Sequence, residues 1–267
     1  MISIMNNPDV PPDHPRAQSL HYRHKLVDGM HNKLVTPSGL CAHGRGEAYD
    51  YLLGEKTIPP AEEAIKAAVA SLFIAKHPVI SVNGNVAALI PEEIVQLSHI
   101  TNAPLEINLF YQAPGRLEAI QKELRNAGAE TILGLGDVPS ETIPELSSNR
   151  RVVDPRGIFI ADVVLVPLED GDRTEALVRT GKYVITIDLN PLSRTAQKAQ
   201  ITIVDNLIRC VPKMIAIANE FKDGLETGTI KTEHLNAIKN NFDQKKNLSQ
   251  TMGYMIEYLQ NKIKAQE

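Results

Sequence analysis

One short stretch of the chain concentrates side chains that can bind a phosphorylated acid. His43, Arg45 and Glu47 alternate with glycines, and Lys56 follows in a second glycine-containing string at 54–57. Guanidinium groups bind phosphate or carboxylate bidentately, and lysine adds a point charge. Glycine has no Cβ, so backbone N–H groups can come close to a ligand. We interpret 43–56 as an anion-binding segment between two helices; a solvated turn is the alternative.

The elements that position this segment must be found in the rest of the chain. The 267 residues carry 28 basic and 32 acidic side chains, a balance that excludes a generic nucleic-acid binder. The two cysteines, Cys41 and Cys210, have no metal-binding spacing and suit a reducing compartment. No apolar run reaches the ~18 residues of a membrane span, and no signal peptide is recognisable. We therefore expect a soluble, cytoplasmic protein that does not enter a membrane.

Residues 78–222 alternate short apolar strands with helices. The predicted strands are 79–82, 105–110, 131–135, 162–166, 184–187 and 201–204. Near-continuous runs of Val, Ile and Leu are typical of parallel strands that are covered on both faces. Two groups of three such strands predict an α/β fold, a Rossmann-like doubly wound parallel sheet.

The flanking segments are predicted to be helical. Residues 1–77 form an N-terminal helical segment with a loose lead-in at 1–12, a helix capped by Asp13 with Pro15 in its first turn, and a helix at 60–75. Residues 223–267 form a C-terminal helical extension, amphipathic, which needs a partner surface on its own domain or on a second subunit.

Polar residues follow the predicted strands at their carboxyl ends, where open parallel sheets bind ligands. They are Asn83 and Asn85 after the first strand, Glu169, Asp170 and Asp172 after the fourth, Asp188, Asn190, Arg194 and Thr195 after the fifth, and Asp205 and Asn206 after the sixth. Asp172 and Glu175 also have the spacing of a helix capping box. Residues 83–88 hold one glycine where a dinucleotide fingerprint needs three, and 54–57 lacks the spacing of a phosphate-binding P-loop. A nucleotide would therefore bind in a non-standard way.

These strings together resemble one family, the archaeal 4-phosphopantoate–β-alanine ligases, also called phosphopantothenate synthetases, of coenzyme A biosynthesis. The matching strings are 14–16, 42–48, 54–57, 79–85, 106–111, 161–177, 187–196 and 203–206. The resemblance covers about residues 13–222, and we expect the chain beyond 223 to lie outside the core of the family.

The resemblance implies a reaction. ATP, 4-phosphopantoate and β-alanine would give 4′-phosphopantothenate, AMP and diphosphate through an acyl adenylate, with Mg²⁺ as cofactor. A homodimer is also implied. Two alternatives on the same fold are a nicotinamide-dependent oxidoreductase and a non-catalytic nucleotide sensor. The missing glycine fingerprint argues against the oxidoreductase. The additional anion site at 43–56 argues against the sensor, which needs no second anionic substrate.

The resemblance also implies residue roles. The ATP contacts would be Arg23, Arg45, Asp188, Leu189, Asn190, Arg194, Thr195, Asp205 and Asn206. His43, Arg45 and Lys56 would act in catalysis near the transferred α-phosphate. The substrate contacts would be Arg16, Asn83, Asn85, Glu169 and Asp170, with Asp170 and Asp172 as possible Mg²⁺ ligands.

Overall fold

The computed structural model describes residues 11, 13, 14, 16–111, 113–146 and 148–266. Most of the predicted lead-in at 1–12, and also Pro15, therefore lies outside the described residues. Among the described residues, no helix combines the length and apolar character needed to cross a bilayer.

A six-stranded parallel sheet forms the centre of the fold. Its strands are β1 (Pro78–Val82), β2 (Leu105–Ile107), β3 (Ile132–Leu133), β6 (Val163–Pro167), β7 (Tyr183–Ile187) and β8 (Ile201–Ile203), in the order β3-β2-β1-β6-β7-β8. This order confirms the predicted doubly wound Rossmann-like arrangement. Ile80 pairs with Leu105 on one side and with Leu165 on the other, so the two halves of the sheet meet between β1 and β6. That junction is the topological switch point, where ligands bind in such sheets.

Eleven α-helices surround the sheet within the described residues. They are α1 (Ala17–His31), α2 (Pro37–Leu53), α3 (Pro59–Ile74), α4 (Gly84–Leu89), α5 (Pro91–Thr101), α6 (Arg116–Asn126), α7 (Gly171–Arg179), α8 (Arg194–Lys198), α9 (Leu207–Thr227), α10 (Thr232–Asn241) and α11 (Gln244–Lys264). An antiparallel pair, β4 (Glu141–Thr142) and β5 (Val152–Val153), and a 3₁₀ turn at Asn149–Arg151 lie between β3 and β6, where no element was predicted.

Two predicted helix caps are wrong. The helix α1 begins at Ala17, and its N-terminal residue Arg16 makes no side-chain cap, so Asp13 is not the capping residue. The helix α7 begins at Gly171, which places Asp172 inside the helix and removes the predicted capping box. Glu175 instead accepts hydrogen bonds from arginine side chains.

The segment 43–47 lies in a helix that the sequence reading missed. Thr36 accepts a hydrogen bond from the backbone N–H of Gly39, and Pro37 occupies the first helical position, so the start of α2 is well defined. Gly54 ends the helix with a φ of 73°, a left-handed conformation that glycine adopts without strain. The internal glycines, which lower helix propensity, obscured these signals.

The C-terminal helices pack on their own chain, which is the first of the two predicted partner surfaces. Leu248 and Met255 of α11 are buried in one apolar cluster with Leu53 at the end of α2 and Ile58 before α3. Fully burying a side chain of this size stabilises the fold by roughly 1.5–3 kcal/mol. The N-terminal and C-terminal segments therefore stabilise each other beside the sheet. The division at residues 77 and 222 into separate domains stays a prediction.

Candidate active site

A cavity of about 760 Å³ lies at the carboxyl edge of the sheet, over the switch point and beneath α2. Thirteen of the predicted site residues line it: His43, Arg45, Asn83, Asn85, Glu169, Asp170, Asp172, Asp188, Leu189, Asn190, Arg194, Thr195 and Asn206. Its volume lies in the usual range for a small-molecule site, roughly 300–1,000 Å³.

Four predicted site residues do not line this cavity. Arg16 is exposed at the start of α1, and Arg23 pairs through its Nε with both carboxylate oxygens of Glu47, at 3.1 Å each. Lys56 is exposed, and its Nζ lies 5.6 Å from the ring centroid of Tyr254 on α11. The fourth, Asp205, is buried behind the cavity wall.

Contacts at both ends hold α2 over the sheet. Asn85 Nδ2, next to the tip of β1, donates to the carbonyl oxygen of Gly39 at 2.9 Å. At the other end of the helix, Asp50 accepts from Arg209 Nη2 at 2.6 Å and from Asn206 Nδ2 at 2.9 Å. These anchors fix the helix so that His43, Arg45, Gly46 and Tyr49 face the cavity.

His43 has an unpartnered nitrogen at the cavity wall. Its Nε2 is buried without a hydrogen-bond partner and lies 3.9 Å from Oε1 of Glu47. Burial lowers the pKa of His43, although the nearby Glu47 carboxylate opposes that shift. The imidazole is therefore mainly neutral at neutral pH and can accept a proton.

The end of the cavity near β7 carries a polar turn. The backbone N–H of Asn190 donates to Asp188 Oδ1 at 2.9 Å, and the Ser193 hydroxyl donates to Asp188 Oδ2. Burial raises the pKa of Asp188, whereas the hydrogen bonds from Ser193 and Asn190 and the positive charge of Arg45 oppose this shift. Arg194 extends over Glu175, with Nη2 and Oε2 2.6 Å apart.

Some predicted contact residues have their polar atoms engaged within the protein. The Thr195 hydroxyl donates to the carbonyl oxygen of Glu169 at 2.7 Å. Asn83 accepts from the N–H groups of Asn85 and Val86, while its amide donates to the carbonyl of Pro167 at 3.0 Å and to that of Leu168 at 3.3 Å. Both side chains thereby hold the chain after β6 in place. Their predicted ligand contacts stay predictions.

Asp205 is similarly engaged. Its carboxylate accepts from the Thr57 hydroxyl at 2.7 Å, from the Asn206 N–H at 2.7 Å, and from Nε and Nη2 of Arg209 at 3.0 and 2.7 Å. Thr57 belongs to the string 54–57, so that string and Asp205 meet in a buried ion-pair network behind the site. Arg209 also pairs with Asp50 of α2, and the network thus connects α2 to the start of α9.

The opposite side of the cavity has arginines that sequence reasoning missed. Glu169, with a side chain only 2% exposed, accepts hydrogen bonds from both Arg150 and Arg173. Arg150 also donates to Asp170 Oδ2 at 3.1 Å. Burial lowers the pKa of both arginines to about 10, so both stay charged at neutral pH. Arg116, at the start of α6, is a further buried cavity residue. No motif marked Arg116 or Arg150, whereas Arg173 lies within the matching string 161–177.

Within the described part of the chain, no cluster of three or more His, Cys, Asp or Glu side chains could hold a metal ion alone. Asp170 and Asp172 line the cavity and are exposed, Asp170 to 55% of its side chain. Mg²⁺ is usually held by one or two carboxylates together with substrate phosphates. The two aspartates fit that donor set, provided that phosphates complete it.

The fold and cavity define a Rossmann-like α/β protein with a polar, arginine-rich site at its switch point. The chain belongs to the phosphopantothenate/pantothenate synthetase family, whose model matches residues 60–258. It is 54% identical to 4-phosphopantoate–β-alanine ligase of Thermococcus kodakarensis over 94% of both chains. It is also 58% identical to the ligase of that name from Thermococcus onnurineus, over 80% of this chain and 82% of that one. The ligase of that name from Methanosarcina mazei is 47% identical over 94% of this chain and 96% of that one.

These comparisons confirm the resemblance and correct its extent. We expected the family match to end near residue 222, but the matched region includes α10 and most of α11. The C-terminal helices therefore belong to the family architecture. Their burial against α2 and α3 gives the physical reason.

Proposed function

We propose that the chain condenses 4-phosphopantoate with β-alanine at the expense of ATP, giving 4′-phosphopantothenate, AMP and diphosphate in coenzyme A biosynthesis. Its family and the names of its relatives support this activity. ATP use fits a cytoplasmic setting, which we also propose.

One observation carries the proposal: a single cavity joins the polar turn after β7 to the arginines beside β1 and β2. A nucleotide at the first end and a phosphorylated acid at the second end would meet beneath α2. Two anionic substrates need cations along the whole path, and Arg45, Arg194, Arg116 and Arg150 are distributed along it.

In the first step, a carboxylate oxygen of the acid attacks the α-phosphorus of ATP. The bond from that phosphorus to the bridging oxygen breaks, and diphosphate leaves. Negative charge accumulates around the phosphorus, so a fixed guanidinium at that point lowers the barrier. Arg45 is the candidate because it lines the same cavity as Asp188 and the other predicted nucleotide contacts. Arg23 would act through Glu47 on α2 and not by direct contact.

In the second step, the β-alanine amine attacks the acyl carbon, AMP leaves, and the nitrogen loses a proton. His43 is our candidate for the group that takes this proton, since its buried Nε2 has no hydrogen-bond partner and its imidazole is neutral. Asp170 and Asp172 would share Mg²⁺ with the ATP phosphates, and the ion would neutralise charge on the departing diphosphate.

The test is turnover with ATP, Mg²⁺, 4-phosphopantoate and β-alanine. We expect AMP and 4′-phosphopantothenate in equal amounts, with AMP formation dependent on both the acid and the amine. ADP formation would contradict the adenylate route, and ATP binding without turnover would favour the nucleotide sensor. Hydride transfer from a nicotinamide cofactor would favour the oxidoreductase. Replacing Mg²⁺ by a chelator should abolish turnover.

We also propose the homodimer that the resemblance implies. On α11, Ile256, Leu259 and Ile263 are exposed to 58%, 44% and 59%. This apolar stripe has helical spacing and is the candidate contact surface. Light scattering of the wild type and of Ile256→Lys would test it: a monomeric wild type, or a variant that stays dimeric, would exclude this surface.

A further inference from the structure

Two buried arginines at the β1–β2 side of the cavity take no direct part in either chemical step. Arg116 is the first residue of α6, and Arg150 lies in the 3₁₀ turn before β5. Both line the cavity, although each residue is only 7% exposed. Burying a guanidinium costs free energy unless an anion or hydrogen-bond acceptors compensate it. Their compensation within the protein is incomplete.

Arg116 is held entirely by backbone carbonyl groups. Its Nε donates to the oxygen of Leu34 at 3.1 Å, and its Nη1 donates to that of Tyr111 at 2.7 Å. No carboxylate of the described residues forms an ion pair with it. A Cβ at Gly84 would lie 2.7 Å from its Nη2, so this nitrogen reaches the tip of β1. A cation is thereby positioned in the cavity wall with its charge uncompensated.

Arg150 shares its carboxylates with a third arginine. Its Nη1 pairs with Glu169 and Asp170, but Glu169 also pairs with Arg173. The Nε of Arg150 is buried and has no hydrogen-bond partner. Glu169 is therefore divided between two arginines, and neither Glu169 nor Asp170 forms an ion pair with Arg116. Glu106 also lies near Arg173, but burial raises its pKa to about 7, so it is only partly charged at neutral pH.

One segment of the cavity wall connects the two cavity arginines. The Tyr111 carbonyl accepts from Arg116, and the Phe110 ring centroid lies 5.9 Å from Cζ of Arg150. Both arginines thus lie against the wall segment that follows β2, and Arg150 also reaches the carboxylates that follow β6. Planar guanidinium forks at such a position match the oxygens of a phosphate group.

We propose that Arg116 and Arg150 bind the phosphate of the phosphorylated acid and select it over the unphosphorylated acid. This inference rests on the proposed function and assigns a substrate group to this end of the site. With its phosphate held beside β1 and β2, the acid directs its carboxylate toward Arg45 and the nucleotide. An acid that lacks the phosphate leaves the buried Arg116 without an anionic partner and the Nε of Arg150 without an acceptor, which is a strong basis for discrimination.

The experiment compares Arg116→Gln and Arg150→Gln with Arg151→Gln, a matched control on an exposed residue of the same 3₁₀ turn. The readout is kcat/KM for 4-phosphopantoate divided by kcat/KM for pantoate. We expect each cavity variant to lower this ratio roughly 10- to 100-fold, the effect of losing a hydrogen bond to a charged group. The KM for ATP and for β-alanine should stay within about threefold of the wild type, and the control should match the wild type.

A purely structural role gives a different result. If both acids lose activity equally, or if the KM for ATP rises instead, the proposal is wrong. Arg150→Lys and Arg116→Lys, which keep a charge, cover the case in which a glutamine variant fails to fold. These lysine variants should keep part of the preference, and a preference equal to that of the wild type in both would overturn the proposal.

Direct binding measurements test this proposal independently of whether the protein catalyses the reaction. If the wild type does not form AMP, the proposed function fails, but calorimetric titration with 4-phosphopantoate, pantoate and inorganic phosphate still tests the arginines. The proposal is supported if the wild type binds 4-phosphopantoate more tightly than pantoate and the glutamine variants lose this difference. Inorganic phosphate should also compete with 4-phosphopantoate for the wild type. Equal binding of the two acids overturns it.

Discussion

The substitution Asp205→Asn distinguishes two roles of Asp205, contact with ATP and stabilisation of the fold. The resemblance implies that Asp205 contacts ATP, whereas the structure engages its carboxylate with Thr57, Asn206 and Arg209. An asparagine has one acceptor oxygen and no charge, so it cannot accept from both Arg209 donors and also from the Thr57 hydroxyl and the Asn206 N–H. We therefore expect a loss of stability and no specific loss of ATP binding.

The magnitude follows from the network. Removing one partner of a buried ion pair costs about 3–5 kcal/mol. Arg209 keeps Asp50, with Nη2 and Oδ1 2.6 Å apart, so the lower end of that range applies. A loss of about 3 kcal/mol lowers the midpoint of thermal unfolding by roughly 6–12 °C for a chain of this size.

The assay combines thermal unfolding with steady-state kinetics at a temperature where the variant is folded. We expect the lowered midpoint, with a KM for ATP within about twofold of the wild type. Asp188→Asn is the matched control: it faces the cavity, so it should raise the KM for ATP with a smaller change in stability. An Asp205→Asn protein with an unchanged midpoint and a KM for ATP raised tenfold would refute the structural role.

Three further substitutions test the site around α2. Arg45→Ala should lower kcat about 10²-fold or more, the usual effect of losing one preorganised charge; near-wild-type turnover would exclude it from the transferring phosphate. His43→Gln should remove the acid limb of the pH profile of kcat, because burial lowers the His43 pKa below 6.5 and only the neutral imidazole accepts a proton. In the wild type, kcat should therefore fall on the acid side of the ordinary imidazole pKa, and a limb that persists in His43→Gln would assign that limb to another group. Lys56→Met should change kcat/KM less than about threefold, since the exposed Lys56 lies outside the cavity; a 10²-fold loss would restore its predicted catalytic role.

The sheet could be predicted because its evidence is local. Each parallel strand is buried on both faces, and the continuous Val and Ile runs at 79–82 and 184–187 reflect that environment directly. The polar residues at the carboxyl ends of the strands could be predicted once the strands were known, and most of them line the cavity. The short pair β4–β5 escaped because two-residue strands carry no periodicity.

The arginines escaped for a different reason. Arg116, Arg150 and Arg173 lie on three separate elements, and each is brought to the site by contacts far away in sequence, such as that between Arg116 and Leu34. A single arginine in a helix or turn is usually a solvated residue. Only the folded structure shows that they belong together, because Arg150 and Arg173 share Glu169, and Arg116 and Arg150 line the same cavity.

The string at 43–47 gives the sharpest contrast between composition and geometry. Its glycines suggested exposed backbone N–H groups, but those groups lie within α2. Packing does not require these glycines either, because a Cβ at Gly44 would meet nothing within 4 Å and one at Gly46 would make an ordinary contact with Leu189. Packing does require Gly39, which precedes the string on the same helix, because a Cβ there would lie 2.4 Å from Asn85 Oδ1. Gly39, His43 and Gly46 recur at helical spacing on the face that meets the cavity. The anion-binding chemistry that we propose for this segment therefore depends on side chains that a closely docked helix presents, and the glycine at 39 allows that docking.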